Sequence, residues 1–70
     1  MFSISLTRAD HIRRYSIAPL QRSGWEVKVE SDQELTRHAY YRDWHRVERV
    51  LALFRLEVSE LIACGWTAIT

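Results

Sequence analysis

The stretch that decides the fold is DWHRVERVLALFRLEVSELIACG, residues 43–65, because its apolar side chains recur at a helical spacing. At about 100° per residue, its main apolar positions fall within one arc of roughly 120°. These positions are Trp44, Val47, Val50, Leu51, Phe54, Val58, Leu61 and Ile62. An arc of this width is typical of a helix that buries one face against a core. The stretch therefore predicts a long C-terminal helix with one core-facing stripe.

Both ends of this helix carry a signal in the sequence. Asp43 is suited to the N-cap position, because its carboxylate can accept a hydrogen bond from a free amide of the first turn. Gly65 is suited to the position after the C-cap, where the chain turns through left-handed backbone space. Trp66 then follows and is placed to fold back on Leu61. We expect a helix that ends in a Schellman motif.

Ahead of the helix the apolar period changes from 3.6 to 2, which is the period of a strand with one solvated face. Residues 25–30 alternate most clearly, and residues 14–20 and 35–41 follow the same period. In the last segment the pattern puts Leu35, Arg37, Ala39 and Tyr41 on one side. Pro19 cannot donate to a ladder and belongs near a strand end or a sheet edge. Short connections favour antiparallel neighbours.

The first dozen residues allow more than one structure. Phe2, Ile4 and Leu6 alternate with small polar residues, which favours an edge strand or an extended arm. Thr7 and Asp10 also resemble the start of a short helical turn. A frayed terminus is the third alternative. We expect the strand or arm, which would offer a second route to a dimer.

The predicted fold is a single α+β domain over residues 1–70. A three-stranded antiparallel β-meander, four-stranded if the N-terminal segment joins it, is covered on one face by a long C-terminal α-helix. Residues 1–12 form the edge strand or arm, residues 13–41 the meander and residues 43–65 the helix.

Composition narrows the class of protein. A chain of 70 residues with one cysteine, Cys64, has no intrachain disulfide and no cysteine-cluster zinc site. We interpret Cys64 as a small, partly buried residue. No signal peptide or membrane-spanning run is evident, so we expect a cytoplasmic protein. Lys28 is the only lysine among ten basic residues, which points to a GC-rich bacterial source.

No constellation of residues indicates a reaction, a metal or a cofactor. His11, His38 and His45 fall on three different predicted elements, whereas metal ligands must converge on one point. His45 and Glu48 lie three residues apart and are interpreted as a solvated pair on the helix surface. We expect neither enzymatic activity nor a bound cofactor.

Two leucines interrupt the polar side of the helix, opposite the core stripe. Arg49, Leu53, Leu56 and Glu60 are symmetric about the point between Phe54 and Arg55. Two copies packed antiparallel about that point would place Leu53 against Leu56 of the second copy, and Arg49 against its Glu60. Single exposed leucines are common on monomers, but a domain this small buries a modest share of its surface. We predict a non-enzymatic interaction module that forms a homodimer or binds another protein through this face.

Nucleic-acid binding is the alternative function. Basic residues on the predicted strands and turns, interleaved with aromatic ones, could form a sheet-borne basic face: Arg14, Arg22, Lys28, Arg37 and Arg42. Glu26, Glu30, Asp32 and Glu34 lie in the same region, and the net charge is only +1 with a pI of about 8.0. Phosphate-driven binding favours a more basic surface. The helix, whose polar side mixes acids and bases, does not indicate a membrane-surface role.

Overall fold

The structure is a computed structural model that describes residues 2–69; Met1 and Thr70, the two ends of the predicted domain, lie outside the described residues. One antiparallel sheet has the strand order β4-β3-β2-β1-β5, and one helix lies between β4 and β5 in the chain. The elements are β1 (Phe2–Arg8), β2 (His11–Pro19), β3 (Trp25–Ser31), β4 (Glu34–Tyr41), α1 (Trp44–Ala63) and β5 (Thr67–Ala68). The predicted meander with a C-terminal helix is confirmed.

The N-terminal segment forms the fourth strand of the meander. β1 pairs with β2 along its whole length, and β5 pairs with its other side at Leu6 and Thr7. The Ile69 amide also donates to the Ser5 carbonyl oxygen at 2.9 Å. Part of the outer edge of β1 is therefore covered, which the pattern of the first residues did not predict. The chain that leaves the helix supplies this cover.

Alternation along the strands gives the sheet one covered and one open face. Leu6, Tyr15, Ile17, Val27 and Val29 are buried on the side of α1. The open face carries a polar set that includes Ser16, Lys28 and His38, which lie opposite one another on three neighbouring strands. This division follows from the period of two.

A β-bulge changes the predicted face of one residue in β4. Val29 pairs with Arg37, but Glu30 pairs with Leu35, so Thr36 is the extra residue. The Thr36 hydroxyl donates to the Val29 carbonyl oxygen at 3.0 Å. The pattern had predicted that Leu35 and Arg37 share a face. They do not, because the extra residue shifts the alternation. The Leu35 side chain is exposed.

Phe54 of α1 joins the helix to the middle of the sheet. Its ring meets the Tyr15 ring edge-on at a centroid distance of 4.9 Å and lies 6.4 Å from the Phe2 ring. Val47 and Val58 are buried on the same side of the helix. Aromatic pairs at such distances stabilise a core beyond the area they bury. The helix thus lies over β1 and β2 at its centre.

Both predicted helix ends are confirmed. The Asp43 carboxylate accepts a hydrogen bond from the His45 amide at 3.0 Å. At the other end the Trp66 amide donates to the Leu61 carbonyl oxygen, and the Gly65 amide donates to that of Ile62. These are the two bonds of a Schellman motif, with Gly65 at φ +101°.

Three residues of this region are more exposed than the sequence predicted. Trp44 and Ile62 were placed in the core stripe but are 42% and 49% exposed. Both lie at one margin of the stripe, about 80° around the helix from Phe54. Trp44 packs instead on Trp25, with ring centroids 4.7 Å apart. Cys64 was predicted to be partly buried, but as the C-cap residue it is exposed.

The turn before β3 requires a glycine. Gly24 has φ +93°, and a Cβ there would come within 2.8 Å of the Tyr41 carbonyl oxygen. We expect Gly24→Ala to lower the free energy of unfolding by more than about 2 kcal/mol, because a left-handed backbone and a clash with main chain add. Urea denaturation measures the loss.

Gly65→Ala is the matched control. Its φ is also positive, but an added Cβ would meet only the Arg8 side chain, at 3.5 Å. It should cost only the conformational penalty of about 1–2 kcal/mol. If both variants lost the same free energy of unfolding, the contact with the Tyr41 carbonyl would not be the reason that position 24 requires glycine.

Candidate interaction surface

The outer side of α1 presents the four residues singled out by the sequence, Arg49, Leu53, Leu56 and Glu60, here called the outer helix patch. Leu53 is 48% exposed and Leu56 is 63% exposed. Neither Arg49 nor Glu60 has an ion-pair partner among residues 2–69. Two apolar side chains and two unpaired charges of opposite sign therefore share one surface.

By helix geometry the outer helix patch lies away from the buried residues Val47, Phe54 and Val58, and Leu56 is directly opposite them. At about 100° per residue its four positions span roughly 60° of the circumference. Within that span, Leu53 lies nearest the sheet and lines a recess between the helix and β4. Leu53 thus forms the margin of the patch on the β4 side.

That recess, here called the β4–α1 groove, has a volume of about 450 Å³. Its walls combine side chains of the helix with the inward side of the outermost strand. The lining residues are Val27, Thr36, Arg37, His38, Ala39, Tyr41, Val50, Leu53 and Phe54. Because α1 covers the inner strands, the inward side of β4 keeps an apolar surface that remains accessible.

A charged cluster joins α1 to β4 and β2. Glu57 accepts hydrogen bonds from both terminal nitrogens of Arg37, Nη1 and Nη2, and from the Tyr15 hydroxyl at 3.1 Å. The Arg37 guanidinium also lies 5.9 Å from the centroid of the Phe54 ring. A two-pronged arginine–carboxylate pair fixes orientation as well as distance. The cluster therefore holds the helix at a set distance from the outer strand.

Sequence reasoning missed this cluster. Glu57 was placed on the solvated circumference, yet its side chain is only 25% exposed. Arg37 was assigned to a basic face, but its side chain turns to the helix because Arg37 lies opposite Val29. The signal was present in the alternation, which put Arg37 on the side of Ala39 and Tyr41.

The five basic residues of the predicted nucleic-acid face occupy separate places. Arg14 and Lys28 lie on the open face, where Arg14 Nε donates to the Ser5 hydroxyl and Lys28 is 4.0 Å from Glu26. Arg37 lies on the covered face. The remaining two, Arg22 and Arg42, lie in the β2–β3 turn and after β4. The sheet does not bring all five to one face.

The three histidines lie on three different elements, β2, β4 and α1. His11 bonds Asp32 at 2.9 Å, His38 bonds Glu26 at 2.8 Å, and His45 lies in the first turn of α1. Across residues 2–69 no three His, Cys, Asp or Glu side chains gather as a metal site needs. Over the same residues, no helix combines the length and apolar character that crossing a membrane requires.

Comparison of the chain with protein-family models, with curated proteins and with solved structures gave no match.

The Glu57 cluster makes stability depend on pH. Hydrogen bonding from Arg37 lowers the pKa of Glu57 below its ordinary value of 4.5. A carboxyl whose pKa is lower in the folded state stabilises the fold above the ordinary pKa and loses that contribution as pH falls below it. Glu57→Gln should therefore flatten the acid limb of a plot of unfolding free energy against pH, measured by urea denaturation.

Glu48→Gln is the control for this measurement. Glu48 is an exposed helix glutamate whose side chain makes no ion pair in the described part of the chain. Its removal should leave the acid limb as in the wild type. An acid limb equally steep in Glu57→Gln and the wild type would mean that the Arg37 pair does not stabilise the fold.

Proposed function

We propose that this protein is a non-enzymatic interaction module that associates with a second copy of itself through the outer helix patch. The observation that carries the proposal is the exposure of Leu53 and Leu56 on a helix whose other side is already buried against the sheet. Contiguous apolar surface rimmed by charge is typical of interaction sites.

The arrangement of charged residues in the outer helix patch supports a second copy as the partner. Antiparallel packing about the point between Phe54 and Arg55 brings each Arg49 to the Glu60 of the other copy, and the two leucines to each other. A two-fold interface of this kind uses the same residues twice. The unpaired state of Arg49 and Glu60 within residues 2–69 leaves both available for such contacts. Burial of additional apolar area also favours a domain of this size.

The first test changes the apolar centre of the patch. The double variant Leu53→Glu, Leu56→Glu should be monomeric, because four carboxylates would meet at the interface. Light scattering after gel filtration, across a range of concentrations, gives the mass. Arg55→Glu changes the formal charge by the same two units on another side of the helix and should keep the wild-type mass. A wild-type mass for the leucine variant would exclude this interface.

The second test reverses charges. Arg49→Glu alone should weaken the dimer, because it faces Glu60 of the second copy. Combining it with Glu60→Arg should restore association, since the exchanged charges are again opposite. Each ion pair at a solvated rim contributes up to about 1 kcal/mol, so the loss of two pairs should raise the dissociation constant by up to about thirtyfold. The measurement is sedimentation equilibrium, and failure of the second change to rescue would count against the antiparallel arrangement.

A further inference from the structure

β4 is the outermost strand on its side of the sheet. Its inner side pairs with β3, and its outer side has no strand neighbour among residues 2–69. It is eight residues long, and two of its apolar side chains, Leu35 and Tyr40, are exposed. At the opposite side of the sheet, β5 covers part of β1. A strand with an open edge is a template for pairing with another chain.

The β4–α1 groove lies directly beside this open edge. The inward residues of β4, Ala39 and Tyr41, line it together with Val50 and Leu53 of the helix. In a strand added to β4, alternate side chains would point to the helix side of the sheet. One of these side chains would meet the groove, so the site suits a strand with an apolar residue at that position.

Unpaired positive charge lies at the Tyr41 end of the groove. Arg42 and Arg46 line an adjoining recess of about 320 Å³ with Tyr40, Tyr41 and Asp43. The side chain of neither arginine makes a hydrogen bond or an ion pair in the described part of the chain. The Asp43 carboxylate is engaged by the His45 amide.

The basic side chains of β4 itself are already hydrogen-bonded. Arg37 is bound to Glu57, and His38 is bound to Glu26. The charge available to an added strand is therefore that of Arg42 and Arg46, with Arg49 one turn further along the helix. This positive charge is complementary to carboxylates in the ligand.

We propose that β4 and the β4–α1 groove bind an extended, acidic segment of a partner protein as an added strand. An apolar side chain of the segment enters the groove beside Leu53, and its carboxylates meet Arg42 and Arg46. Main-chain hydrogen bonds to β4 supply affinity, and the groove with its basic end supplies specificity. A second copy of β4 fits less well, because it offers one carboxylate, Glu34, against three unpaired arginines.

Two capped peptides of equal length, one alternating Val with Glu and the other Val with Lys, test the proposal by NMR on ¹⁵N-labelled protein. The Glu peptide should shift the amides of β4 and of residues 50–53, and the Lys peptide should not. Rising salt should weaken binding, because exposed charge pairs are screened.

The matched variants are Arg42→Gln with Arg46→Gln, and Arg55→Glu. Both change the formal charge by two units, but only the first alters the basic end of the groove. The first should weaken binding of the Glu peptide about tenfold, and the second should leave it unchanged. All three arginines are exposed, so the fold is expected to be retained.

Several results would overturn the proposal. Equal binding of the two peptides would show that charge complementarity does not contribute to recognition. Amide shifts confined to β1 and β5 would place the site at the opposite edge of the sheet. The same holds if neither peptide binds. Stronger binding of a single-stranded oligonucleotide would identify a phosphate site instead. Shifts of the β4 amides when the protein is concentrated without peptide would place a second copy on β4, which would also exclude an added partner strand.

Discussion

The contact between Phe54 and Tyr15 is the interaction on which the rest of the structure depends. Tyr15 is fully buried in the second strand, and Phe54 is the most deeply buried aromatic residue of the helix. With Phe2 packed on the same ring, three elements meet at one point. In a chain of 70 residues few other contacts could fix the helix on the sheet. Its position determines which surfaces remain open.

That position leaves the sheet covered unevenly. The helix packs on β1 and β2 through Phe54 and on β3 through the Trp25–Trp44 pair. Toward β4, the hydrogen-bonded pair of Arg37 and Glu57 adds a polar link to the contact of Tyr41 with the core. A long polar bridge spans a gap that short apolar side chains would close. Arg37 itself lines the β4–α1 groove, which lies beside this bridge.

The two proposed surfaces meet at Leu53. This leucine belongs to the outer helix patch and also lines the β4–α1 groove. A second copy on the patch and a partner strand in the groove would therefore compete for the same side chain. By linkage, a ligand that binds only the monomer shifts the equilibrium away from the dimer. Self-association through this residue would in that case regulate access to the groove.

The sequence by itself determined the elements, because helix and strand periods, caps and turn residues are local properties. The run 43–65, the cap at Asp43, the turn at Gly65 and the strand at 25–30 could all be read from their neighbours in the chain. The exposed leucines of the helix could be read in the same way. Tertiary structure alone decided the pairing of β5 with β1, the bulge at Thr36 and the bond from Arg37 to Glu57. The first and the last join residues distant in sequence, and their meeting depends on where Phe54 anchors the helix. The bulge lies within one hairpin and depends on the register of its two strands.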